Sequence, residues 1–214
     1  MRMRLGLALL ALLLLPLGAC TPTPPARLYT LAPAEAAPIE PGTGAVVGLG
    51  PVELPSYLDR PEIVTREGPH EVAIGEFDRW AEPLQPMVVR LLADRLRHAT
   101  GSREVVPLPA RWSAEPRHAV AVLVDRFDAD ETGQVVLDTR WRYYQTSDGR
   151  SLRGGHEMIA LPTGPASPPG VGYASKEPRR DYAALVATMA RAVGELARRI
   201  AAGLPNARAT PARS

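Results

Sequence analysis

Two stretches of the chain repeat apolar residues at helical spacing. Trp80, Leu84, Met87, Val88, Leu91, Leu92 and Leu96 fall at offsets 0, 4, 7, 8, 11, 12 and 16, a one-sided stripe. Pro83 and Pro86 fit only a first turn, where backbone N–H groups lack helical partners. The spacing therefore predicts a helix from near Glu82, with Asp78 ordering the turn before it and Thr100-Gly101 ending it. Tyr182, Leu185, Val186, Met189, Val193, Leu196 and Ile200 predict a second helix over 181–202. Asp181 can cap that helix, and Gly203 then Pro205 stop it.

The rest of the apolar pattern has the period of strands. Residues 134–145 (QVVLDTRWRYYQ) alternate, with Val135, Leu137, Thr139, Trp141 and Tyr143 on one side and Asp138, Arg140 and Arg142 on the other. Residues 117–128 read as a largely buried strand and 151–161 as a third, joined by turns at 130–133 and Asp148-Gly149. Shorter candidates lie at 27–31, 45–52, 62–66, 71–77 and 105–108, with a turn at 67–70. Residues 53–61 (ELPSYLDRP) are bracketed by Pro55 and Pro61 and are predicted to lack regular structure. The Pro/Gly-rich runs 32–44 and 162–172 read as loops. These elements predict an α/β fold: a single domain with a mixed β-sheet of five or six strands packed with two amphipathic helices.

The first twenty residues follow a different pattern. Arg2 and Arg4 precede an apolar run of eleven residues, Leu5 to Leu15, and then Leu17-Gly18-Ala19-Cys20. This is the layout of a bacterial secretory signal, too short for a permanent span of roughly 20 residues. Its ending resembles a lipobox, which implies cleavage before Cys20 and covalent acyl chains on that residue. Cys20 is the only cysteine, so no internal disulfide is available. The organisation expected is a signal peptide over 1–19, a lipidated Cys and Pro-rich tether over 20–26, a folded domain over 27–204 and a disordered tail over 205–214. Thr21, not Asp, follows the Cys. By the sorting rule of such lipoproteins this favours the outer membrane, facing the periplasm, over the inner membrane.

Composition adds little chemistry. Of 214 residues 45% are hydrophobic and 22% charged, as in a globular body. The 23 prolines, about 11%, exceed a usual ~5% and argue against a long helical bundle. The formal charge of +2 disappears when Arg2 and Arg4 leave with the signal. A neutral body gives no general reason to expect nucleic acid as a partner. No Gly-x-Ser-x-Gly elbow, Walker loop or dinucleotide fingerprint occurs. His156-Glu157 begins a zincin-like string, but Ala160 stands where the second histidine belongs. His70, His98, His118 and His156 lack ligand spacing, and Asp125, Asp128 and Asp130 read as a solvated acidic turn. No catalytic residues, no metal ligands and no cofactor are expected.

One loop is unusual. Tyr57 and Leu58 are large apolar groups in a Pro-bound segment, next to Asp59 and Arg60, which can pair locally. Tyr57 and Trp80 can plug the end of the core. Alternatively Tyr57, Leu58, Asp59 and Arg60 form a partner interface, with Trp80 structural.

At these residues the chain resembles a known family. LYTL at 28–31, VVGLGPVELPSYLDRPEIVTR at 46–66 and DRWAEPLQPMVVRLLADRL at 78–96 resemble the ABC-type transport auxiliary lipoproteins, which include the paraquat-inducible protein C lipoproteins. Trp141 and the C-terminal amphipathic helix also match. The resemblance implies a membrane-anchored periplasmic adaptor of an MCE-type lipid transport system. Its partners would be an MCE-domain protein with its permease and ATPase. Self-association into rings, a homo-oligomer, is implied for some members. The alternative function is a lipid-binding carrier that itself holds a hydrophobic ligand.

Overall fold

The computed structural model describes residues 25–32, 44–109, 116–163 and 181–205. The signal segment with Cys20, most of the tether, the 164–172 run and the tail from residue 206 lie outside the described residues. The described chain is one mixed α/β unit with eight strands and two α-helices. The strands are β1 (Arg27–Tyr29), β2 (Val47–Glu53), β3 (Glu62–Arg66), β4 (Val72–Trp80), β5 (Val105–Pro107), β6 (His118–Ala129), β7 (Gln134–Gln145) and β8 (Ser151–Pro162). Helix α1 (Leu84–Thr100) follows β4, and helix α2 (Tyr182–Gly203) closes the chain.

Strand β6 organises the sheet. One edge pairs with β7 along its full length, from His118↔Gln145 to Ala129↔Val135. A strand has only two edges, so β2 and β3 share the other. β2 pairs with residues 119–123 of β6, and β3 meets it at Thr65↔Ala129. They lie end to end, and the Pro-bound loop between them interrupts what would be one strand. β5 then flanks β2, β4 flanks β3, and β1 adds to β4 in parallel. On the far side β8 pairs with β7. Tight turns make the β6–β7–β8 meander. In the first, Asp130 Oδ1 accepts from the N–H groups of Thr132 and Gln134, and Gly133 adopts φ 80°.

The helices cover one face. On β7 the predicted alternation holds: Val135, Leu137, Thr139, Trp141 and Tyr143 are buried while Arg140 and Arg142 are exposed. α2 packs on β6, β7 and β8, α1 on β2 and β5, and the helices on each other. Trp141 shows how tight this layer is. A Cβ on Gly203 would sit 2.7 Å from its ring, and one on Gly155 3.0 Å from its indole nitrogen. Glycine at both positions lets α2 and β8 close on the indole. The caps follow expectation: Asp181 accepts from Ala184 N–H at 3.0 Å, and Gly101 ends α1 with φ 65°.

Four expectations need correction. The sheet has eight strands, not five or six, because the three-residue β1 and β5 are held by parallel pairing to distant segments. Strand β4 runs on to Trp80, so Asp78 and Trp80 are strand residues. Trp80 donates its N–H to Pro61 O at 2.7 Å, and Asp78 and Trp80 pair with Arg27 and Tyr29 of β1. α1 therefore starts at Leu84, behind Pro83. The 53–61 loop contains one 3-10 turn, Ser56–Leu58, with Pro55 at its N-cap; Leu58 N–H donates to Pro55 O and Asp59 N–H to Ser56 O. Finally, Asp128 is not solvated: it is 0% exposed.

Candidate functional site

The 3-10 turn carries the candidate interface residues, and the sheet beneath explains their directions. Leu58 points inward and is only 4% exposed, so it joins the core and offers no surface. Tyr57 packs half-buried against the same core, and its hydroxyl donates to Asp128 Oδ2 at 2.8 Å. Asp59 and Arg60 remain exposed. Arg60 does not pair with Asp59. Its Nε lies 3.9 Å from Glu62, which also faces Arg79 at 3.6 Å. The turn thus presents its charged half outward on an anchored base.

That base is an arginine–carboxylate network. Asp128 Oδ2 also accepts from Arg66 Nη2 at 3.1 Å, and Oδ1 from Arg126 Nε at 2.8 Å. The Arg66 guanidinium carbon sits 5.9 Å from the Tyr57 ring centroid, within cation–π range. A buried carboxylate needs counter-charge and donors, and here two arginines and a phenol supply them. The hydrogen bond to Asp128 drives the Arg66 guanidinium up. Burial, with the charge of Asp128 beside it, pushes the Tyr57 phenol up to about 12. Sequence reasoning singled out Tyr57 but missed Asp128, Arg66 and Arg126. Their positions on β3 and β6 carry no local signal for a pairing 62 residues apart.

The Tyr57 shift predicts a pH response. Below pH 10, the ordinary phenol value, Tyr57 stabilises the fold fully. As pH rises from there to about 12 the unfolded chain loses this proton before the folded one, so stability falls. Tyr29, held by Asp78 Oδ1 at 2.9 Å and also pushed up to about 12, adds to the same fall. Tyr57→Phe is expected to shrink the loss of urea midpoint across this window. An unchanged slope would show that Tyr57 is not buried against Asp128.

A second clamp sits at the start of the domain. Asp78 is buried and accepts from Arg27 Nε at 2.8 Å as well as from Tyr29. Ala81 N–H closes the strand end on Tyr29 O at 2.8 Å. The first strand is thus tied to β4 by side chains as well as by its ladder.

The sheet face away from the helices is open. It carries Arg140 paired with Asp125, His156 against Asp138, and Arg142 stacked on Tyr144 at 4.6 Å. Leu123 and Met158 are exposed large apolar residues on this face, Met158 at 61%. A shallow groove of about 350 Å3 runs beside Pro51, Glu53, Leu123, Arg140 and Arg142. Among the described residues no group of three or more His, Cys, Asp or Glu could hold a metal ion. No helix among them is long and apolar enough to cross a membrane.

Comparison with solved structures places this fold among known ones. A crystal structure of an uncharacterized protein shares 16% identity over 84% of this chain and 98% of its own, with a TM-score of 0.62. One from Xanthomonas campestris shares 17% over 82% of this chain and 93% of its own, with a TM-score of 0.60. At such identities the likeness shows the fold alone. No curated protein matches the sequence. Residues 29–201, from the first strand to the end of α2, match the family described as the ABC-type transport auxiliary lipoprotein component. The chain belongs to this family of membrane-anchored lipoproteins that serve ABC-type transport.

Proposed function

We propose that this lipoprotein is the docking subunit of an MCE-type system that moves lipids between membranes. It is anchored in the outer membrane through acyl chains on Cys20, faces the periplasm, and acts without catalysis or cofactor. The observation that carries this reading is the family match across nearly the whole folded body. The Asp59–Arg60 tip supports it, because two exposed charges on an anchored turn suit contact with a protein partner. Crosslinking of the lipidated protein in the envelope is expected to recover an MCE-domain protein. Recovery of none under conditions that capture a known envelope complex would count against the reading.

Two variants separate its parts. Cys20→Ser removes the only thiol, so acylation should stop and uncut precursor accumulate. Palmitate incorporation into that variant would contradict the anchor. Arg60→Ala removes only a long, partly exposed ion pair, so stability should stay within about 0.5 kcal/mol while crosslinking to the partner weakens. Undiminished crosslinking would move the docking surface elsewhere.

A further inference from the structure

Far from the 3-10 turn, a groove of about 580 Å3 lies between α1, α2 and the end of β8. Its floor is small and apolar, made by Ala99, Leu161, Ala190 and Gly194. Its walls carry Arg95 and His98 from α1 and Arg191, Glu195 and Arg198 from α2. The near-neutral chain therefore concentrates three guanidiniums against one carboxylate here.

That carboxylate is already occupied. Glu195 accepts from Arg198 Nε and from Arg199 Nε, each at 3.0 Å. Hydrogen bonds from these two arginines hold its carboxyl below the usual range. Among the described residues Arg191 has neutral partners only: its Nη2 donates to Thr188 Oγ1 at 2.9 Å and Pro162 O at 3.2 Å. No described carboxylate compensates its charge. Arg95 has no hydrogen bond or ion pair among the described residues. Its Cδ and Nε lie 4.0 Å from where a Cβ of Gly194 would stand, so it reaches the surface of α2. His98 turns back to its own helix, with Nδ1 2.8 Å from Asp94 O.

Arg95 and Arg191 line one groove without carboxylate partners among the described residues, so an anion bound there would offset two like charges. Their forked donors match the oxygens of phosphate in pairs. A carbon skeleton behind the phosphate would rest on the alanine, glycine and leucine floor. We propose that the α1–α2 groove binds a phosphate ester through Arg95 and Arg191, with Arg198 at its rim. Lipid headgroups and soluble phosphates share this chemistry. The site does not depend on the docking reading, since failure to recover an MCE partner would leave it intact.

The test is calorimetric titration of the full chain in a neutral detergent. The ligands are inorganic phosphate, glycerol 3-phosphate, and dihexanoyl phosphatidic acid with dihexanoyl phosphatidylcholine as its zwitterionic control. At least one phosphate monoester is expected to bind with Kd below about 1 mM, weakening as salt rises. Binding of glycerol 3-phosphate as tight as phosphatidic acid identifies a soluble ligand; preference for phosphatidic acid identifies a headgroup. Arg95→Gln and Arg191→Gln should each weaken binding about tenfold or more. Arg95→Lys and Arg191→Lys keep the charge but lose the fork, and should weaken it less; they stand in if a Gln variant fails to fold. The proposal is overturned if neither phosphate monoester binds, if the Gln or Lys variants bind like the parent, or if phosphatidylcholine binds as tightly as phosphatidic acid.

Discussion

Asp128→Ala is expected to cost about 3 kcal/mol of folding stability, the lower end of the range for stripping a partner from a buried ion pair. The lower end applies because Arg66 and Arg126 are 20% and 29% exposed and can turn partly to water once the carboxylate is gone. Tyr57 cannot, since its ring is packed against the core, so its hydroxyl loses the acceptor and the 3-10 turn loses its tie to β6. Asp128→Asn keeps an oxygen for Tyr57 but no charge for the arginines, and should fall between parent and Ala. Urea denaturation at neutral pH reads all three. A loss under about 1 kcal/mol for Asp128→Ala would mean that water, not the arginines, satisfies this carboxylate.

Trp80→Ala should be the most damaging single truncation near the 3-10 turn, at about 3–5 kcal/mol. The indole is 5% exposed and sits where β4 meets β1 and the end of the Pro-bound loop. Neighbours fixed by sheet pairing cannot collapse far into the space it leaves. The melting temperature should fall clearly, and any loss of function should follow it. A variant that melts like the parent would remove Trp80 from the core.

The long elements were legible because each buries a face at its own period. The stripe of α2 and the alternation of β7 needed no knowledge of what they pack against. The short strands were visible only as β-prone runs. Arg27–Tyr29 and Val105–Pro107 become strands through parallel pairing with segments 51 and 58 residues away. Trp80 shows the cost of reading one period alone. It falls in phase with the α1 stripe, yet Pro83 stops the helix short of it and the β1 ladder takes it instead. For the loop, sequence identified the right residues and left their directions open. Tyr57 turned inward because a buried aspartate lay 71 positions downstream, and no spacing rule reports such a distance. The groove arginines were similarly hidden, since Arg95 and Arg191 come to line one groove only when two helices pack.

The way the chain enters the sheet sets how it would bear mechanical load. The proposed anchor, Cys20, lies seven residues before β1, and β1 is an edge strand, three residues long, with Leu28 65% exposed. A pull along β1 strains its ladder bonds together with the Asp78 clamp. A pull away from the sheet opens them one at a time. Either way β1 is expected to yield before the rest of the sheet, since its three residues are exposed or half-buried. With Cys20 as the anchor, load reaches the β1 ladder and the Asp78 clamp before it reaches the body of the sheet.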